Sequence, residues 1–498
     1  MGRAGPCGPA EKSDGAGRGG SGIVPRVTRT GPRPRPDRLR GRLPSRSDLP
    51  PFPSWAGRDF RLLTGASFIS SVGNSGALIG AAYAVIDSGG NATDVGLVVA
   101  ARTLALVVFL LVGGAVADRL PRQRVMVGAN LLNATSQAAF AVLVITGSAT
   151  LWQMAVLAAV GGTGQAFFSP ASEGMVLSTV DPAHAGKAFS VYRLSVNGAS
   201  IGGAALGGGL AAAIGPGWVL AVDATGFAAA AAMRSRLRVG MVERTQASRG
   251  LLRDLHEGWQ EFVSRSWLWG IVLQFGVVNG MVTASESVYG PLVAREHLGG
   301  AGPWGLAVAA GGIGTVGGGL LMIRWKPRRM LLAGTLGVFP LAIPAAVLAL
   351  AAPVWLLSLG MFVAGVAVEV FAVGWMLALH QEIPEEKMSR VSAYDWLGSV
   401  SLMPLCTALA GPAANAFGRT RALWGSSALV VLLTAMVLLV PDVRRLERHA
   451  PAPAGGLTKD ASAGVPDGIT DRAAGSGTEK EPPSATDRGA PDDLAEAT

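Results

Sequence analysis

The sequence predicts an all-α integral membrane protein of twelve transmembrane helices, arranged as two related, pseudo-symmetric bundles of six. Three features predict this: a greasy composition, apolar segments recurring at spanning length, and basic residues confined to alternate joints. Half of the 498 residues are apolar and 15% are charged, with a mean hydropathy of +0.40, well above the range of soluble chains. Gly is abundant and aromatics make up 6%, as expected where helices pack in lipid through small residues.

A spanning helix needs about 20 mostly apolar residues. Such segments fall near 62–86, 96–117, 124–146, 150–172, 187–213 and 217–234, then near 267–290, 304–324, 330–350, 354–379, 391–416 and 419–440. They are separated by short polar or Gly/Pro-marked joints. Arg58 and Arg61, Arg119 to Arg124, Lys187, Arg234 to Arg238, Arg324 to Arg329, Lys387 and Arg390, and Arg444 to Arg448 all fall at one side. The other side has only Arg295, Arg419 and Arg421. The positive-inside bias makes the first side cytoplasmic and puts both termini there, in a multi-pass protein of the plasma (inner) membrane. The same clustering accounts for the +9 net charge without any nucleic-acid partner.

Five regions are expected. Residues 1–57, rich in Arg, Pro, Gly and Ser, read as a disordered cytoplasmic tail with no apolar stretch of the secretory signal type. Residues 58–234 form the first six-helix bundle. The connection 235–265 carries Leu251, Leu252, Leu255, Trp259 and Phe262 among charged residues, the spacing of an amphipathic helix lying along the cytoplasmic face. Residues 266–445 form the second bundle, and 446–498 read as a disordered cytoplasmic tail. The bundles echo one another: Asp94-Val95-Gly96 opens helix two as Trp304-Gly305 opens helix eight, and Ser190-Val191-Tyr192 matches Ser392-Ala393-Tyr394. Parallel repeats of this kind belong to alternating-access transporters, whose substrate cavity lies between the halves.

The most specific motif is Gly-Gly-Ala-Val-Ala-Asp-Arg-Leu-Pro-Arg-Gln-Arg, residues 113–124, between helices two and three. It resembles the signature loop of the major facilitator superfamily, with Gly114, Asp118, Arg119, Arg122 and Arg124 at the matching positions. The resemblance implies a conformational latch between the halves. Gly114 would let helix two approach a neighbour closely, and Asp118 would supply an anionic partner. The equivalent Arg324 to Met330 run keeps the basic residues but lacks the Asp-Arg pair, so the latch is asymmetric. Six glycines of helix five, Gly198 to Gly209, are reminiscent of the glycine-rich motif of family exporters, although that motif's proline is absent. The chain over about 58–445 looks like the branch containing enterobactin-exporter-like and drug efflux proteins. That resemblance implies proton-driven export of a drug-like or siderophore-like small molecule by alternating access. Alternatives are an uptake permease of the same fold and a transport-inactive membrane sensor or scaffold.

An ionisable side chain within a span costs about 2.5–3.5 kcal/mol on insertion scales, so it normally faces a cavity or a partner. Glu369, deep in helix ten, is the leading proton-carrier candidate. Glu286 is second, near Asn279 and Tyr289, with a solvated outer vestibule as its plainer setting. Arg102 either fixes a helix interface or binds an anionic substrate group, and Asp223 is expected to bond to Thr225 as a packing partner. Arg193 and Asp395 occupy corresponding repeat positions with opposite sign, which suggests an ion pair between the halves. Phe167, Phe168, Phe371, Trp375 and Trp396 are candidates to line a cavity, while Trp152, Trp218 and Trp355 at span starts suit interfacial anchoring.

No Walker string, zinc-spaced His/Cys set or nucleophile elbow occurs, and the two cysteines, Cys7 and Cys406, offer no disulfide framework. The chain is therefore expected to be no enzyme, to use no ATP, metal or cofactor, and to act as a monomer in the lipid bilayer on a small-molecule substrate and protons.

Overall fold

A computed structural model describes residues 55–238, 259–325 and 327–445. Among these residues every regular element is helical. The tails predicted at 1–57 and 446–498 lie almost wholly outside the described residues, as does the connection from 239 to 258.

Twelve helical paths run through the described chain. They are α1 (Arg58–Asp87), α2 (Ala92–Arg119), α3 (Arg122–Ile145), α4 (Leu151–Leu177), α5 (Ala185–Ile214) and α6 (Pro216–Ser235), then α7 (Ser266–Leu298), α8 (Ala301–Arg324), α9 (Met330–Ala349) and α10 (Val354–Glu382). The last two are α11 (Glu385–Ser401 continuing as Met403–Phe417) and α12 (Arg419–Val437). A short α13 (Pro441–Arg445) follows. Ten of the paths are long and apolar enough to cross a membrane by length and composition. The other two, α4 and α5, reach 27 and 30 residues.

Local sequence sets the ends. Asn91 caps α2: its Oδ1 accepts from the Thr93 and Asp94 amides, while Asp94 accepts from the Asn91 amide at 2.8 Å, a capping box. Thr150 and Gln153 do the same for α4. The turns into α6 and α12 are each made by one glycine at positive φ, Gly215 at 94° and Gly418 at 83°, a backbone shape that disfavours other residues.

Packing repeats as well. Helix α2 lies on α4 and α3 on α6, as α8 lies on α10 and α9 on α12. Between the halves, α2 meets α11 and α5 meets α8, two contacts that a two-fold repeat exchanges. These contacts are close because small residues leave room for backbone. A Cβ on Gly208 would lie 2.5 Å from the Ala301 carbonyl oxygen, and one on Gly96 2.6 Å from that of Thr407.

One buried cluster joins both halves and includes Tyr83, Val98 and Phe140 with Tyr289, Trp304 and Met361. A second, around Trp267, Phe371, Trp375 and Val391, belongs to the second half, with Phe262 of the connection and Val443 of α13. Phe371 stacks on Phe275 at 4.4 Å and Trp375 meets Trp267 edge-on. Trp152, Trp218 and Trp355 are at least half exposed at their helix starts, as interfacial anchors would be.

Candidate functional site: a cavity between the halves

A cavity of about 560 Å³ opens between the two bundles, within the range that holds a drug-sized ligand. Its wall is mostly apolar, with Leu78, Ile79, Val98, Phe140, Trp304 and Met403 among its residues. Amides and hydroxyls interrupt it at Asn74, Gln137, Gln165, Asn197, Thr283 and Thr315. Two charged side chains line it: Arg102 from the first half and Glu286 from the second.

The cavity is closed at one end. Joining the halves there, Tyr83 donates its hydroxyl to the Pro291 carbonyl at 3.2 Å, Arg295 pairs with Asp87 at 3.1 Å, and Asn415 donates to Thr93 at 3.4 Å. Gly411 packs against the Thr93 backbone, and Gly208 against Gly305. Among the described residues, the hydrogen bonds and the ion pair between the halves lie toward this end, opposite the Arg-rich joints.

Glu286 sits within a π-helical turn, Ser285–Tyr289, in the middle of α7. Such turns widen the backbone locally and occur often at functional sites. No hydrogen bond or ion pair engages the Glu286 carboxylate among the described residues. Its expected neighbours are occupied elsewhere: Asn279 donates to the Ser399 carbonyl at 3.0 Å and Tyr289 to that of Ala410 at 2.6 Å, pinning α7 to α11. Glu286 therefore lines the central cavity and not an outer vestibule.

On the facing wall Arg102 donates to Asn74 Oδ1 at 3.0 Å. Behind it Asp223 is fully buried and accepts from Gln137 at 2.8 Å. The expected Asp223–Thr225 bond is absent: the Thr225 hydroxyl donates back to the Val222 carbonyl, because it points out of the bundle while Asp223 points in.

Glu369 does not line the cavity. It is half-buried between α10 and α8, its side chain against Gly318 and Gly319, so depth along a span did not determine which face it takes. The Arg193–Asp395 pair does not form. Arg193 is exposed, 5.7 Å over the Phe189 ring, and Asp395 accepts from Trp375 Nε1 at 3.0 Å; each finds its neighbour within its own half. None of the five aromatics proposed for the cavity lines it; Phe140 and Trp304 do.

The Asp118 and Arg119 side chains lie outside the described ones. Gly114 has nothing near its Cβ position, whereas a Cβ at Gly113 would lie 2.5 Å from the Ala166 carbonyl oxygen; the close approach falls one residue earlier than expected. Arg122 is half-buried and Arg124 exposed. Gln123 between them donates to the Arg234 and Leu237 carbonyls, both at 2.9 Å, closing the end of α6. Arg234, counted above among the loop cations, is fully buried. Its Nη2 donates to Ser67 at 2.9 Å and its guanidinium lies 4.6 Å over the Phe168 ring. The sequence reading missed Gln137 too, though Asn130, Asn133, Ser136 and Gln137 recur along one side of an otherwise apolar span.

A sequence profile of the Major Facilitator Superfamily matches residues 63–399. The chain belongs to this superfamily. It is 29% identical over 409 residues to the multidrug efflux pump Tap of Mycolicibacterium fortuitum, covering 78% of this chain and 96% of that one. Solved superfamily-type transporters share the fold at low identity. The nucleoside transporter NupG aligns with a TM-score of 0.63 at 13% identity over 76% of this chain and 98% of its own. A bacterial homologue of the human lysosomal transporter Spinster aligns at 0.61 and 15%, over 80% and 100%. The chain is thus a multi-pass membrane transporter of the major facilitator fold, a class that moves small molecules and is not enzymatic.

Proposed function

We propose that this transporter exports a small amphipathic molecule, taken from the cytoplasmic side, in exchange for protons. The carrying observation is the Glu286 carboxylate, without an ion-pair partner, on the wall of a mostly apolar cavity that is closed opposite the basic joints. With those joints cytoplasmic, as the positive-inside bias requires, the conformation is inward-facing and the cavity is loaded from within. Burial without a counter-ion makes a carboxylate a group that either a proton or a cationic substrate can satisfy. Competition for one carboxylate couples the two flows. The similarity to a multidrug efflux pump supports the export direction and a drug-like cargo.

Reconstituted protein in liposomes with an imposed pH gradient tests this, with a lipophilic cationic dye as cargo. Wild type should accumulate dye only with the gradient, and Glu286→Gln should abolish gradient-driven transport. Gradient-driven transport that persists in Glu286→Gln and is lost in Glu369→Gln would overturn the assignment and move the coupling to the α8–α10 interface.

A further inference from the structure

Asp223 plays no part in the scheme above, yet its surroundings are unusual. It is fully buried in α6, its Oδ1 has no hydrogen-bond partner, and no basic residue lies within ion-pair distance among the described residues. A buried carboxylate in this setting is expensive unless a charge compensates it. Helix α1 supplies the arrangement through two consecutive residues. Gly73 lacks the Cβ that would overlap Asp223 Oδ1, so the acid fits against the α1 backbone. Asn74, the next residue, accepts from Arg102 at 3.0 Å on the cavity side. Gln137 connects the same two layers, donating to Asp223 at 2.8 Å while lining the cavity. Arg102 and Asp223 thus meet adjacent residues of α1, Asn74 and Gly73, whereas the Glu286 carboxylate has no hydrogen bond or ion pair among the described residues.

We propose that Asp223 is a specificity-determining, positioning residue that neutralises Arg102 from behind the cavity wall, so that Glu286 alone sets the charge preference of the site. The inference rests on the cavity being the substrate site. A wall bearing Arg102 without Asp223 would be cationic, and would cancel the attraction of Glu286 for a cation. With Asp223 in place the first half contributes a neutral polar wall and the second a net negative charge. The preferred cargo is then a lipophilic cation, and Asp223, which never touches it, keeps the site from accepting lipophilic anions.

The test uses two hydrophobic ions of the same shape and opposite charge, tetraphenylphosphonium and tetraphenylborate, binding to the purified full chain. Wild type should favour the cation. Asp223→Asn keeps the side-chain volume and an acceptor for Gln137, and should lower the cation's affinity and raise the anion's by roughly tenfold each, and so lower their ratio about a hundredfold, the effect of one unit charge about 10 Å away at an effective dielectric constant near 20. Arg102→Gln should move the ratio the opposite way, and Asp223→Asn with Arg102→Gln should return it towards wild type. A purely structural role would weaken both ions alike and leave the ratio unchanged, and that result, or a double variant no closer to wild type than Asp223→Asn, overturns the proposal. If Asp223→Asn does not fold, Arg102→Gln alone decides, since an unchanged ratio there also overturns it. A Glu286→Gln arm separates the two claims: undiminished cation binding in that variant refutes the role of Glu286, while the Asp223-dependent shift stands or falls by itself.

Discussion

Gly162 shows how tightly the helices around the cavity are set. Its position on α4 faces the α2 backbone, and a Cβ there would overlap the Arg102 carbonyl oxygen. Backbone cannot swing aside as the end of a side chain can, so Gly162→Ala must push α2 away from α4 and displace the Arg102 side chain. Overpacking of this kind costs about 1–3 kcal/mol. Gly198 on α5 is a control of opposite sign: a Cβ there meets nothing within 4 Å, and replacing glycine in a helix interior gains about 0.5–1 kcal/mol. Thermal unfolding in detergent should place Gly162→Ala below wild type and Gly198→Ala at or above it. Equal melting temperatures for the two would show that the α2–α4 contact yields to an added methyl group. A single sequence does not distinguish these glycines, since both sit in the interior of a span and only the partner helix separates them.

At the scale of an element, the end of the connection between the halves is held to the second bundle. Residues 259–264 are helical, with the Trp259 and Phe262 rings packed around Tyr394 at 5.5 and 6.0 Å. Glu261 accepts from Lys387 at 2.8 Å and from Arg265, also at 2.8 Å. The amphipathic spacing does not point to Lys387, which lies 126 residues away. The Lys387 ammonium, and then Arg265, hold the Glu261 carboxyl below the ordinary glutamate range. A depressed value means the contact stabilises the docked helix above the usual glutamate pKa and is lost as pH falls through the lowered one. Lys387 is nearly half exposed, so solvent screens the pair to about 1 kcal/mol or less. Hydrogen exchange across 259–264, corrected for intrinsic rates, should therefore run about two- to fivefold faster in Glu261→Gln at neutral pH. In acid the wild type should approach the variant. A pH-independent difference would mean the aromatic contacts alone dock the helix.

For the whole molecule, the fold was written in composition and in the spacing of the spans, because the bilayer fixes the length of every crossing and the loops reveal their side. Which face of a span looks into the cavity was not. Glu286 and Glu369 are both lone carboxylates in apolar helices, and only the packing of α7 against α11 and of α10 against α8 sets them apart. The same packing decides how the closed end is held. The Arg295–Asp87 pair is 55% and 36% exposed and worth about 0–1 kcal/mol, too little to close two bundles. The backbone contacts of α2 with α11 and of α5 with α8 must do it. If alternating access requires those helix pairs to part, then holding one pair together should stop transport without blocking entry from the other side. Thr93 and Asn415 bracket the α2–α11 contact, their side-chain atoms 3.4 Å apart. Thr93→Cys with Asn415→Cys, in a chain with Cys7 and Cys406 replaced by serine, should form a disulfide on oxidation. The oxidised protein should still bind tetraphenylphosphonium but transport nothing, and reduction should restore transport. Undiminished transport by the fully oxidised protein would mean that α2 and α11 stay together throughout the cycle, and that the substrate leaves by another route.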